Sequence, residues 1–218
     1  MELFELNEQK ELDGRRRFRA SLHEIYPDES GMNNNGICYL EQYTRANMES
    51  AKGIPVCCEF VDGRKREPLG HGETGVRNKD GMVMFEDSIV VGVVDDVTIE
   101  DAQIEGNTKR VLMATGYIYE QRYPNLVEWI EQRLNANMAV RGSVEFIGKA
   151  ENNGEIKYLN DFNGMGRIPT EYVYSGYCLL SVPAGDNAAV VFELNESKDG
   201  EQEKDKGEQC HEEIVGNG

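Results

Sequence analysis

Short segments with the composition of β-strands divide the chain between residues 17 and 194. They are rich in Val, Ile, Tyr and Phe, and most are bounded by Gly, Pro, Asn or Asp. The predicted strands cover residues 17–26, 54–60, 88–98, 110–119, 138–147, 155–159, 171–181 and 188–194. About eight strands of this length predict a mainly β protein, built as an antiparallel barrel or sandwich.

Two segments depart from this pattern and predict helices. Residues 41–51 favour a short helix, and residues 125–137 favour a longer amphipathic one. In the second segment Leu126, Trp129, Ile130 and Leu134 recur at helical spacing, just after Pro124. We expect this apolar stripe to pack on the sheet, with Asn125 as the candidate cap.

The two ends of the chain differ in composition from the middle. Residues 196–218 contain eight acidic residues, three lysines and no aromatic residue, so they cannot form a core of their own. We therefore divide the chain into a flexible N-terminal segment, residues 1–14, a folded β-barrel unit, residues 15–195, and an acidic disordered tail, residues 196–218.

The charge balance excludes some classes of partner. The 218 residues include 23 Lys and Arg against 40 Asp and Glu, which gives a net charge of −17. Such a chain repels nucleic-acid phosphate and anionic lipid, so we expect neither a nucleic-acid nor a membrane partner. The first residues resemble no secretory signal, and no apolar run approaches the roughly 20 residues of a membrane span.

The cysteines do not have the spacing of a metal or disulfide framework. Five is an odd count, no CxxC occurs, and adjacent Cys57 and Cys58 would face opposite sides of a strand. We expect Cys38, Cys57, Cys58 and Cys178 to be small core residues. No metal and no cofactor is predicted.

Among the three histidines, His71 is the candidate for chemistry. Gly70 and Gly72 flank it, so the backbone can turn tightly and present the imidazole without neighbouring side chains. A loop histidine without a task is the alternative. His23 belongs to a predicted strand and is expected to be a structural or surface residue, and His211 lies in the acidic tail.

Ser143 is the candidate nucleophile. Alternation along the strand 138–147 places it on a polar face with Arg141 and Glu145, and Gly142 is a small neighbour that would leave room for a substrate. A serine on a strand is more often only a surface residue. Catalysis would require His71 within hydrogen-bond reach of Ser143, which the sequence does not show.

In their order along residues 36–194, these signals resemble the tailed-phage prohead (capsid maturation) proteases, distant relatives of herpesvirus assemblin. The elements that carry the resemblance are Asn35-Gly36-Ile37 with the helix 41–51, the strand opened by Gly53-Ile54-Pro55-Val56, the Gly-His-Gly turn at His71, the helix 125–137, the segment Gly142 to Phe146, and the block Tyr177 to Ala184 followed by Asn187 to Val190.

The resemblance implies a serine endopeptidase on a β-barrel surrounded by a few helices. Such an enzyme cleaves scaffold and major capsid proteins inside the immature prohead, in the cytoplasm of a bacterial host, and can form homo-oligomers. In this chain Ser143 would be the nucleophile and His71 the general base. The alternative is a non-catalytic phage structural or scaffolding protein on the same barrel.

The third catalytic member departs from the herpesvirus pattern, which uses a second histidine after the serine. Here the only later histidine is His211, in the tail. An acidic residue must substitute for it, and we prefer Glu171, with Asp161 and Glu145 as the alternatives.

Overall fold

A computed structural model describes residues 14–78, 83–159, 165–181 and 189–194. The predicted flexible segment 1–14, apart from Gly14, and the acidic tail 196–218 lie outside the described residues, as do Asp161 and residues 182–188. The elements are β1 (Arg16–Glu24), α1 (Glu41–Asn47), β2 (Pro55–Cys58), β3 (Ile89–Ile104), β4 (Asn107–Ile118), α2 (Pro124–Asn135), β5 (Val140–Ile147), β6 (Lys157–Tyr158), β7 (Pro169–Glu171), β8 (Val173–Leu180) and β9 (Val190–Leu194), with 3₁₀ turns at Met48–Ala51 and Ala150–Asn152.

Seven strands form one curled sheet in the order β1-β4-β3-β2-β8-β5-β9. The sheet closes into a barrel because β9 pairs with both β5 and β1. The predicted mainly β architecture with few helices is therefore confirmed. The expectation of wholly antiparallel pairing is wrong at one place, because β2 and β8 run parallel, with Cys57 opposite Cys178.

The predicted strands 88–98 and 171–181 differ most from the structure. β3 is longer than expected and turns directly into β4 at Glu105 and Gly106, which both have positive φ angles, as a type I′ hairpin turn requires. The predicted strand 171–181 is interrupted at Tyr172. Consequently, β7 pairs with β6 in a separate two-stranded sheet, whereas β8 belongs to the barrel.

Aromatic side chains fill much of the barrel interior. Tyr39, Tyr172, Tyr174 and Tyr177 are among the largest fully buried residues. The hydroxyl of Tyr177 lies only 2.1 Å from the place where a Cβ on Gly142 would stand. Gly142 therefore makes room for a core side chain, and not for a substrate as the sequence suggested.

The helix α2 confirms the predicted apolar stripe. Leu126, Trp129 and Ile130 are buried and Leu134 is partly buried in the main core. Asn125 does not cap the helix: α2 begins at Pro124, and the Asn125 amide donates a hydrogen bond of 2.8 Å to the carbonyl oxygen of Arg64. This bond attaches the loop that follows β2 to the helix.

The other predicted helix, residues 41–51, is confirmed as α1 continued by a 3₁₀ turn. None of the described helices is long and apolar enough to cross a membrane.

Candidate active site

The long loop between β2 and β3 holds His71 against the barrel. Backbone bonds fix the chain on both sides of it, from the Glu59 amide to the Gly70 carbonyl (2.8 Å) and from the Asp87 amide to the Gly72 carbonyl (3.3 Å). Gly72 has a φ of +72°, and a Cβ there would stand 2.4 Å from the Ser88 nitrogen. Only glycine fits this position, as the sequence predicted for the turn around His71.

His71 meets a carboxylate of β5. Its Nδ1 lies 2.6 Å from Oε1 of Glu145, and the two side chains are 31% and 11% exposed. Because an ionised carboxylate only accepts hydrogen bonds, Nδ1 carries the proton in the neutral ring and Nε2 is the basic nitrogen. The centroid of the Phe85 ring lies 5.9 Å from the centroid of the imidazole.

Ser143 shares the face of β5 that carries Glu145. The two residues are separated by one position, which places them about 7 Å apart along the strand. This is the outer face of the barrel, because Tyr177 and Gly142 occupy the opposite one. Ser143 is half-buried, and its hydroxyl makes no hydrogen bond to any described residue, His71 included.

The structure brings a different carboxylate to His71 than the one preferred from the sequence. Glu171 ends β7 in the two-stranded sheet, is exposed, and accepts a hydrogen bond of 2.8 Å from Asn152. The interruption at Tyr172 separates it from the barrel strand β8. Glu145 takes the position beside His71. In the sequence, alternation along the strand had indicated it as an alternative, because it places Glu145 on the same face as Ser143.

Gly176 makes room for the Glu145 carboxylate. It is the direct partner of Glu145 on β8, and a Cβ there would stand 2.5 Å from Oε2. Since no positive φ is involved at this position, space is the reason that glycine suits it.

Two buried thiols lie beside this pair, and no pattern in the sequence indicated that they would meet. Cys57 and Cys178 are in register with each other, and Cys178 is in turn in register with Ser143. The Cys178 thiol donates to the Gly70 carbonyl at 3.1 Å. The hydrogen bond with Cys57, together with burial, holds the pKa of Cys178 well above its usual value, whereas the bond with Cys178 lowers the pKa of Cys57.

His23 is a structural residue and not a surface residue, the first of the two alternatives predicted from the sequence. It is fully buried in the barrel, with Nε2 2.6 Å from the Tyr174 hydroxyl and Nδ1 2.9 Å from the Glu24 carbonyl oxygen. Its ring stacks on Tyr39 at 3.9 Å. Burial lowers the pKa of His23 to about 4.

A wide cleft of about 1130 Å³ lies elsewhere on the protein, with Glu24, Glu41, Lys109 and Arg110 in its lining. Its cations are paired with its acids: Lys109 lies 2.6 Å from Glu24, and Arg110 lies 3.0 Å from Glu41. Among the described residues, the cleft therefore offers no unpaired cation for an anionic ligand.

Searches of curated proteins and of solved structures found no match. A family model, the YonD N-terminal domain, matches residues 17–215. This domain is phage-associated, which agrees with the phage part of the resemblance and does not extend to a protease. Since the match spans nearly the whole chain, the protein belongs to the YonD N-terminal domain family.

Proposed function

We propose that this domain is a serine endopeptidase of phage head maturation, with Ser143 as nucleophile, His71 as general base and Glu145 as the residue that orients the base. The observation that supports it is the 2.6 Å contact between His71 and Glu145, on the strand face that also carries Ser143. The proposed substrates, scaffold and major capsid proteins inside the immature prohead, and the likeness to the herpesvirus protease fold follow from the sequence resemblance.

The reaction needs no group beyond these side chains and water. The Ser143 oxygen attacks the scissile carbonyl carbon while its proton passes to Nε2 of His71. The C–N bond then breaks, the imidazolium returns that proton to the leaving amine, and an acyl ester remains on Ser143. Water, deprotonated by the same nitrogen, hydrolyses the ester and restores the serine.

Glu145 has two tasks in this scheme. Its hydrogen bond holds the proton on Nδ1 of His71, so that Nε2 is available as the base. Its negative charge stabilises the imidazolium that forms during attack, and the small exposure of the carboxylate limits screening by water. Ser143 must approach Nε2 when substrate binds, since catalytic hydrogen bonds often tighten only in the complex.

The test is labelling of the full chain by a fluorophosphonate probe, together with self-processing followed by mass spectrometry. We expect Ser143→Ala to abolish both, and His71→Ala and Glu145→Gln to reduce both by about 10² to 10⁴. Ser30→Ala, which removes an exposed hydroxyl, and Glu171→Gln are the matched controls and should behave as the parent. Unchanged labelling in Ser143→Ala would remove the proposed nucleophile.

A non-catalytic structural or scaffolding role on the same barrel is the second candidate. The free Ser143 hydroxyl, unbonded to His71 among the described contacts, favours it. In that case Ser143→Ala should assemble with the capsid protein as the parent does, and the parent itself should leave both proteins uncleaved. The solution mass of the purified chain tests the expected self-association in the same preparation.

A further inference from the structure

Three ligating side chains from three neighbouring strands converge beside His71. They are Cys57 on β2, Cys178 on β8 and Glu145 on β5, and their two sulfur atoms and one carboxylate oxygen all lie within 4.8 Å of one another. The two cysteines are far apart in sequence and meet because β2 and β8 pair in parallel with these residues opposite each other. We propose that Cys57, Cys178 and Glu145 bind one thiophilic divalent cation of the zinc class.

The ligand types and spacing suit such a cation. Zinc takes thiolate sulfur at about 2.3 Å and carboxylate oxygen at about 2.0–2.2 Å in a tetrahedron, so two sulfur ligands lie about 3.8 Å apart. The observed limit of 4.8 Å requires only small side-chain rotations. Binding displaces one proton from each thiol to solvent, and three protein ligands leave the fourth position to water.

The surroundings of Glu145 leave one oxygen for the cation. Oε1 accepts the hydrogen bond from His71, as outer partners commonly orient ligating groups in metal sites. Oε2 lies over Gly176, on the side where Cys57 Sγ is 3.8 Å from the place of a Gly176 Cβ. Because Gly176 has no side chain, the carboxylate and the thiol face the same small space.

No metal was expected from the sequence because the cysteines lack a CxxC spacing. That rule applies to ligands supplied by one loop or turn, whereas here each ligand comes from a different strand. The adjacent Cys58 does not belong to the cluster, although it is also buried. The chain therefore offers a matched control one residue from a proposed ligand.

The test is titration of the reduced full chain with Zn²⁺, and with Co²⁺ to observe thiolate-to-metal charge-transfer absorption. All proteins carry Cys210→Ser, so that the tail thiol cannot contribute. We expect one cation per chain and a sulfur-to-cobalt band. Cys57→Ser and Cys178→Ser should each weaken binding at least about 100-fold, and His71→Ala about 10- to 100-fold, since loss of an outer partner has that effect.

Cys38→Ala and Cys58→Ala are the controls and should bind as the parent does. Gly176→Ala keeps every ligand but places a methyl group 2.5 Å from Oε2, so it should weaken cation binding. This variant tests the site independently of whether the cysteine variants fold. The absence of a sulfur-to-cobalt band, or equal binding by Cys57→Ser and the parent, would overturn the proposal. So would a disulfide between Cys57 and Cys178 in protein prepared without oxidant. Because binding is measured without substrate, its failure is distinguishable from failure of the peptidase.

Discussion

The two described histidines have the same tautomer, but His23 is fully buried inside the barrel and His71 is partly exposed on its outer face. In His23, inside the barrel, Nδ1 donates to the Glu24 carbonyl and Nε2 accepts from the Tyr174 hydroxyl. In His71, on the outer face, Nδ1 donates to the Glu145 carboxylate, and Nε2 makes no hydrogen bond to a described residue. Both rings are therefore oriented from Nδ1, but only His71 keeps its basic nitrogen available.

The partner of Nδ1 determines what each ring can do. A backbone carbonyl carries no net charge, so it cannot compensate a buried imidazolium, and burial lowers the pKa of His23 to about 4. A carboxylate does stabilise the imidazolium, which a general base must form during catalysis.

The largest expected effect comes from removing each imidazole ring in turn and comparing the two variants. His71→Ala should lower the cleavage rate about 10³-fold and leave the melting temperature nearly unchanged, because the ring is partly exposed and carries no core packing. His23→Ala should do the reverse and destabilise the protein, because it opens a cavity under Tyr39. Rates and thermal melts of both variants check this, and a rate loss of equal size in both would erase the distinction.

The second effect concerns acid stability. The folded pKa of His23 lies below its unfolded value of about 6.5, so the unfolded chain binds the proton first and stability falls as the pH drops from 6.5 towards 4. The loss should reach about 3 kcal/mol at the lower limit. Denaturant unfolding at several pH values measures it. Carboxylates titrate in the parent and in His23→Gln alike, so the contribution of His23 is the difference between their unfolding free energies at each pH. Identical pH profiles of the two proteins would contradict the prediction.

The third effect concerns the Tyr174 hydroxyl, which donates a hydrogen bond to Nε2 of His23. Tyr174→Phe leaves that buried nitrogen without a donor and should lower the free energy of unfolding by about 2 kcal/mol. Tyr43→Phe removes a half-buried hydroxyl that has no hydrogen bond to a described residue, and should change it by less than about 0.5 kcal/mol. Equal effects in the two variants would show that the His23 bond contributes nothing specific.

The smallest effect concerns the space beneath Glu145. Gly176→Ala places a methyl group 2.5 Å from Oε2, so the carboxylate must move and orient His71 less well. We expect about a tenfold lower cleavage rate, equivalent to about 1.4 kcal/mol, with little loss of stability. Gly63→Ala adds a methyl group where no atom lies within 4 Å and is the control. A rate equal to that of the control would mean that Glu145 does not need this position.

The sequence by itself determined what short segments encode. Strand-like composition between turn residues predicted the barrel strands, and alternation within 138–147 put Ser143 and Glu145 on one face. Helical spacing predicted the buried stripe of α2, and the glycines predicted the turn at His71. These are local patterns, because side-chain direction repeats every two residues in a strand and every 3.6 in a helix.

The tertiary structure decided which of these faces meet. The choice of Glu145 in place of Glu171 depends on the break at Tyr172, which assigns two adjoining segments to different sheets. The meeting of Cys57 and Cys178 depends on the parallel pairing of β2 and β8. Strand order and register are fixed by contacts between residues distant in sequence, and these form only when the whole barrel closes, so no single segment can encode them.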